Sequence, residues 1–250
     1  MILTGKHAFI TGGGTGIGLA IARALASQGA EVTITGRRLD VLEAVAEDRM
    51  HPMALDVTDE AAQIKTIQAA ADARGPVQIC VANAGIAEGK TLIKTDVDFW
   101  RKIMATNLEG AFVTMRECTK SMMTTDWGRV ISVASIAGVR GAPGAGAYAA
   151  SKHGLVGLTR TFSEEFLGKP YTFNALCPGY VDTPIVSRNT DSIAARAGVS
   201  SDDALKMMVS QNRHQKLIAP EEIGAAALWL CMPGSESVNG QTINIAGGQV

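Results

Sequence analysis

Charge is scarce in this chain and nearly cancels. Its 250 residues hold 23 Lys and Arg against 24 Asp and Glu, for a formal net charge of -1, with no basic run. Nothing in that balance suggests a nucleic-acid or anionic-membrane partner. Cysteine is equally sparse: Cys80, Cys118, Cys177 and Cys231 lie far apart, with no C-x-x-C and no histidine pair beside them. That pattern excludes a zinc site of ordinary spacing and a dense disulfide framework, and it fits a reducing compartment. No apolar run reaches membrane-spanning length, and the opening M-I-L-T-G-K-H-A-F-I lacks the apolar region of a signal peptide. A soluble, cytoplasmic, metal-free protein is expected. Aromatics are few at 5%, but hydrophobic residues at 46% against 19% charged describe a globular chain with enough material for a large core.

What the chain does have is alternation. His7–Thr11 reads as a buried strand, Leu19–Gln28 as a helix stopped by Gly29, and Glu31–Thr35 as a second strand, which together make a βαβ unit. Helices are predicted at about Leu39–Glu47, Asp59–Arg74, Val97–Met123, through Tyr148, and at Pro220–Leu230. Strands are predicted at His51–Asp56, Val77–Val81, before Ser135, at Tyr171–Cys177 and at Gln241–Ile245. Seven strands alternating with helices predict a mostly parallel α/β sheet covered on both faces, in a single domain over 1–250. In such sheets the ligand crevice opens at the carboxyl ends of the strands. The glycine loop, Arg37, Asp56, Asn83, Ser135 and Pro178 all fall there. Residues 185–213 break the alternation with polar patches around short helical stretches at Ile193–Ala197 and Ala204–Gln211, and are expected to form a substrate-binding lid.

Two sites emerge from the residues themselves. Thr11-Gly12-x-x-x-Gly16-Ile17-Gly18 sits between a strand and a helix, where glycines let the backbone approach a pyrophosphate that the helix N-terminus favours; a tight turn is the alternative. The second strand ends in Gly36-Arg37-Arg38, with no acid for a ribose 2′-hydroxyl, and a guanidinium suits a 2′-phosphate. NADP is therefore favoured over NAD. Farther along, Tyr148 and Lys152 are four apart and stack on one helix face, with Ser135 ending the strand before them. A neighbouring ammonium is expected to lower the phenol's pKa from about 10 towards the range of a useful acid or base. An ordinary surface i,i+4 pair would look the same.

Placed in order, these motifs resemble the short-chain dehydrogenase/reductase family over essentially the whole chain, which implies a Rossmann-like, doubly wound fold. The resemblance implies a cofactor set of Gly12, Gly14, Thr15, Gly16, Ile17, Arg37, Arg38, Asp56, Val57, Asn83, Ala84, Gly85, Tyr148, Lys152, Pro178, Gly179, Val181 and Thr183. It also implies hydride transfer between a nicotinamide and a carbonyl/alcohol pair. Tyr148 would be the general acid or base, and Ser135 would orient the substrate oxygen. Lys152 would lower the tyrosine pKa and hold the nicotinamide ribose, and Asn107 would position a water leading to solvent. Substrate contacts are expected from Ser135, Tyr148 and Tyr180, with Val139, Arg140 and Ala142 shaping the pocket and Arg140 or Arg188 available to an anionic group. The chain departs from the family in having Ala82 where a second Asn is common, and no basic residue among Gly13-Gly14-Thr15. Cofactor choice thus rests on Arg37 and Arg38. Such enzymes are commonly homotetramers acting on small molecules. A protein that binds NADP without turnover is the alternative from another class.

Overall fold

The computed structural model describes residues 1–184, 186, 190, 194, 198–210 and 212–250. Seven strands, β1 (His7–Thr11), β2 (Glu31–Gly36), β3 (Met50–Ala54), β4 (Val77–Ala82), β5 (Gly128–Val133), β6 (Tyr171–Pro178) and β7 (Thr242–Ile245), form one sheet in the order β3-β2-β1-β4-β5-β6-β7. Every pairing is parallel. The helices with described bounds are α1 (Gly16–Ser27), α2 (Leu39–Val45), α3 (Glu60–Arg74), α4 (Val97–Met104), α5 (Gly110–Met122), α6 (Gly146–Glu165), α7 (Ser201–Val209) and α8 (Pro220–Trp229). Among the described residues no helix is long and apolar enough to cross a membrane.

Side chains alternate across a strand, so each central strand feeds two cores. Ala8, Ile10, Ile79, Val81, Ile131 and Val133 meet Ile21, Leu25 and Ile223 on one face. Phe9, Cys80, Val130 and Phe173 meet Ile67, Met115 and Cys118 on the other. All four cysteines are buried thiols. Local signals place the ends of several helices. Asp59 caps α3, its carboxylate accepting from the Ala62 N–H at 2.9 Å. Gly29, at φ +94°, takes the left-handed turn after α1.

The helix expected over Val97–Met123 is not continuous. Between α4 and α5 the residues Ala105–Glu109 form a π turn, with Asn107 fully buried at its centre. A single i→i+5 turn leaves hydrophobic periodicity almost untouched, so the pattern read as one helix. The other boundaries differ by a few residues: β3 starts at Met50 and ends at Ala54, and α7 ends at Val209. The expected helix at Ile193–Ala197 and Arg188 lie outside the described residues, apart from Ala194.

The second core is richest in rings where β6 meets the end of α6. Phe173, 1% exposed, lies 5.2 Å from Phe166 and 6.3 Å from Phe162, centroid to centroid. Phe173→Ala should cost about 3–5 kcal/mol, read as a fall in the urea midpoint with an unchanged slope. A loss below about 1 kcal/mol would show that this cluster is not core.

Candidate active site

The sheet reverses its direction of growth between β1 and β4, which are hydrogen-bonded neighbours although β2 and β3 intervene in sequence. Thr11 and Asn83, at the ends of those two strands, tie the edges together. The Thr11 hydroxyl oxygen accepts the N–H groups of Asn83 and Ala84, each at 3.0 Å. Asn83 Nδ2 donates to the carbonyls of Thr11 at 2.9 Å and Gly12 at 3.1 Å. The loop that follows requires glycine. Gly12 and Gly16 have φ of +67° and +52°, and a Cβ on Gly18 would lie 2.2 Å from the Gly12 carbonyl oxygen. This is a cradle that side chains would fill, ending at the N-terminus of α1, where free N–H groups favour an anion.

A cavity of about 1360 Å³ runs from this loop across the carboxyl ends of β2, β4, β5 and β6. That exceeds the usual range for one drug-sized ligand and leaves room for a dinucleotide and a substrate together. Gly12, Gly14, Thr15, Gly16 and Ile17 form its floor, with Arg37, Arg38, Asp56 and Val57 at one end and Asn83, Ala84 and Gly85 in the middle. Pro178, Gly179, Tyr180, Val181 and Thr183 form the opposite wall. Asp56 is held below the usual carboxylate range, first by the Thr58 N–H at 3.0 Å and also by the Thr58 hydroxyl and the Arg37 charge. Arg37 therefore stands beside the end expected to take a ribose and its phosphate.

Ser135, Tyr148 and Lys152 share the wall between β5 and α6. Ser135 is extended at the end of β5, its oxygen accepting the Ala137 N–H at 3.1 Å. Tyr148 lies in the first turn of α6, and Lys152 one turn on, with its Nζ 5.8 Å from the centre of the phenol ring. The buried ammonium donates to the Val133 carbonyl at 2.8 Å. Burial lowers its pKa to about 8, with Cys177 pulling the other way. The phenol departs from the expectation. Burial raises the Tyr148 pKa, while the hydrogen bond with Ser135 pulls it down. Loss of hydration outweighs that hydrogen bond, and the ammonium is turned towards the Val133 carbonyl.

Two expected residues are not on the cavity wall. Asn107 sits one layer behind it: Oδ1 accepts the Ile86 N–H at 2.8 Å, and Nδ2 donates to the Ile86 carbonyl at 2.9 Å and to Ser151 Oγ at 3.2 Å. Ser151 in turn donates to the Tyr148 carbonyl at 2.7 Å. The amide hydrogens are thus committed to the protein, and a water could be met only by the remaining Oδ1 lone pair. Val139 turns into the second core instead of the cavity, because the short helical turn at Ile136–Gly138 rotates it away. Arg140 and Ala142 do line the cavity. Among the described residues of the 185–213 segment, Val186 and Met208 reach the wall.

The sequence reading missed Ile86, Glu88 and Lys102, the last two an ion pair at 2.7 Å on the wall. No local signal marks them, since Lys102 lies on α4 and enters the site only through tertiary packing.

Comparison with known proteins agrees with this geometry. The family of short chain dehydrogenases matches residues 6–194. D-beta-hydroxybutyrate dehydrogenase of Cupriavidus necator is 34% identical, the alignment covering 100% of this chain and 99% of the relative. A 3-oxoacyl-[acyl-carrier-protein] reductase of Vibrio cholerae is 32% identical over 99% of this chain and 98% of its own. Among solved structures, a variant of actinorhodin polyketide ketoreductase with NADPH superposes with a TM-score of 0.94 at 29% identity, covering 98% of this chain and 97% of that one. The chain accordingly belongs to the short-chain dehydrogenase/reductase family, NAD(P)-binding oxidoreductases that act on hydroxyl and carbonyl groups.

Proposed function

We propose that the protein transfers a hydride between NADP(H) and a small carbonyl or secondary-alcohol substrate, with Tyr148 as the general acid and base. The observation that carries this reading is the placement of Ser135, Tyr148 and Lys152 on one wall of a cavity whose other end presents Arg37 and Arg38 in place of an acid. The bound dinucleotide would supply or accept the hydride at its nicotinamide ring. The glycine loop and the start of α1 hold the pyrophosphate, and Arg37 and Arg38 take the 2′-phosphate through charge-assisted hydrogen bonds. Asp56 and Val57 receive the adenine, Asn83, Ala84 and Gly85 border the ribose, and Pro178, Gly179, Val181 and Thr183 flank the nicotinamide.

In reduction Tyr148 gives its proton to the carbonyl oxygen, and in oxidation it takes that proton back. A phenol kept protonated by burial suits the first role at neutral pH. Ser135 hydrogen-bonds the same oxygen and fixes its distance from the phenol, while the Lys152 ammonium stabilises the phenolate left behind and holds the ribose. Asn107 keeps the Tyr148 turn in place through Ser151. Tyr180, Val186 and Met208 close the substrate end. Assembly as a homotetramer and a cytoplasmic setting, consistent with four thiols kept reduced, belong to the same reading.

NADPH should bind tighter than NADH by fluorescence titration. Arg37→Asp should remove about ten- to a hundred-fold of that preference, the worth of a hydrogen bond to a charged group; equal affinities in the parent would exclude the 2′-phosphate site. Tyr148→Phe should lower kcat by a factor of about 10²–10⁴ with NADPH affinity within about twofold, and turnover at the parental rate would rule the phenol out. Reduction needs the Tyr148 proton and the Lys152 charge together. Its kcat/KM should hold at lower pH and fall as pH rises through about 8, where Lys152 deprotonates. Lys152→Arg, cationic throughout this range, should move that fall upward. A parental profile flat to pH 10 would remove the ammonium from the mechanism.

A further inference from the structure

Residues at a chain end are ordered only where something ties them down, and the end of this chain is tied at several points. The Gly247 carbonyl accepts the Arg213 N–H at 2.6 Å. Gln249 Oε1 accepts from Arg140 Nη2 at 2.8 Å, and the Gln249 backbone carbonyl accepts from Nη1 at 3.2 Å. In the other direction, Gln249 Nε2 donates to Oδ1 of Asn212. Asn212 is 1% exposed, and its Nδ2 donates to the Lys216 carbonyl at 2.5 Å. One amide side chain thus bridges two segments that lie 109 and 37 positions before it. Gly247, at φ +58°, lets the tail come this close, since a Cβ there would lie 3.2 Å from that of Asn212.

Both bridged segments belong to the substrate end. Arg140 lines the cavity just beyond the turn that follows Ser135. Asn212 follows α7, its N–H donating to the Val209 carbonyl at 2.8 Å, and α7 carries Met208 to the wall. A little farther on, Ile218 donates its N–H to the Tyr180 carbonyl, and its own carbonyl accepts the Asp182 N–H, each at 2.9 Å. Tyr180 is part of the wall as well. The cores do not hold α7. Its buried residues are Ala204 and Met208, and among the described residues neither joins either hydrophobic core. Packing of an apolar face is what ordinarily fixes a helix, so the polar contacts at the end of α7 carry more of its placement.

We propose that Gln249 is a positioning residue whose amide holds the end of α7 against the turn after β5, and so fixes Met208 in the wall that receives the substrate. Gln249 does not itself line the cavity; it acts through Asn212 and Arg140. The link to substrate rests on the hydride-transfer reading of the same cavity, whereas the hold on α7 does not.

The test compares the full chain with Gln249→Ala and with a chain ending at Gly248. Lys206, Arg213 and Lys216 are exposed on or just after α7, and trypsin cuts beside them only when the backbone opens. Cutting at these three bonds should speed up about three- to tenfold in both variants, the worth of one lost hydrogen bond, with other lysine and arginine bonds unchanged. In the parent the three bonds should be cut at least about tenfold more slowly than in a free peptide of the same sequence, a comparison that stands even where a variant fails to fold. With NADPH and ethyl 3-oxobutanoate, Gln249→Ala should raise KM about three- to tenfold and leave kcat and NADPH affinity within about twofold, the pattern of lost substrate binding. Cutting at the parental rate in both variants, or a parent cut as fast as the peptide, overturns the inference whatever the kinetics. Faster cutting with an unchanged KM, or with a fall in kcat alone, overturns it too. Faster cutting in a protein that oxidises NADPH with none of ethyl 3-oxobutanoate, cyclohexanone and 3-oxobutyrate upholds the hold on α7 and counts against the hydride-transfer reading instead.

Discussion

Everything at the carboxyl edge of the sheet depends on the tie between Thr11 and Asn83. One hydroxyl accepts two backbone N–H groups, and one amide donates to two carbonyls. Those are the polar groups that a reversal of strand order would otherwise leave without partners at the bottom of a crevice. With them satisfied, the glycine loop can turn within van der Waals distance of β4, and the crevice stays open above it. The missing side chain of Gly18 belongs to the same arrangement, since any Cβ there would strike both the Gly12 carbonyl and the Asn83 amide.

The proposed chemistry depends on a second layer built on burial. Lys152 is enclosed, and its pKa falls to about 8. Tyr148 is desolvated, and its pKa rises. The two shifts move apart two groups whose ordinary pKa values nearly coincide, so that the phenol holds its proton more tightly than the ammonium does. The Val133 carbonyl and Ser135 then hold each group at the place where the fold needs it. The π turn around Asn107 serves this layer: by widening the helix for one turn, it buries an amide against the Ile86 backbone and, through Ser151, against the turn that carries Tyr148. A regular helix would present that side chain along a different direction.

The substrate end is assembled from parts far apart in sequence. Arg140 follows β5, Lys102 rides on α4, Met208 lies on α7, and Gln249 reaches in from beyond β7. Helices and loops alike supply this end of the cavity around a fixed sheet, an arrangement in which such residues can vary without disturbing the fold.

The order of elements, the parallel sheet and the glycine turn between β1 and α1 were legible in the sequence, because strand and helix periodicities and glycine placement are local properties that survive any tertiary arrangement. The pairing of Tyr148 with Lys152 was legible for the same reason, as four residues make one helical turn. Only the tertiary structure decided the rest. It set the sign of the Tyr148 shift, which depends on how much water the fold removes. It set the break at Ala105–Glu109, which exists because the Ile86 backbone offers partners to Asn107. It also joined Arg140 to Gln249, 109 positions apart, since the contacts that bind such groups repeat with no period along a chain.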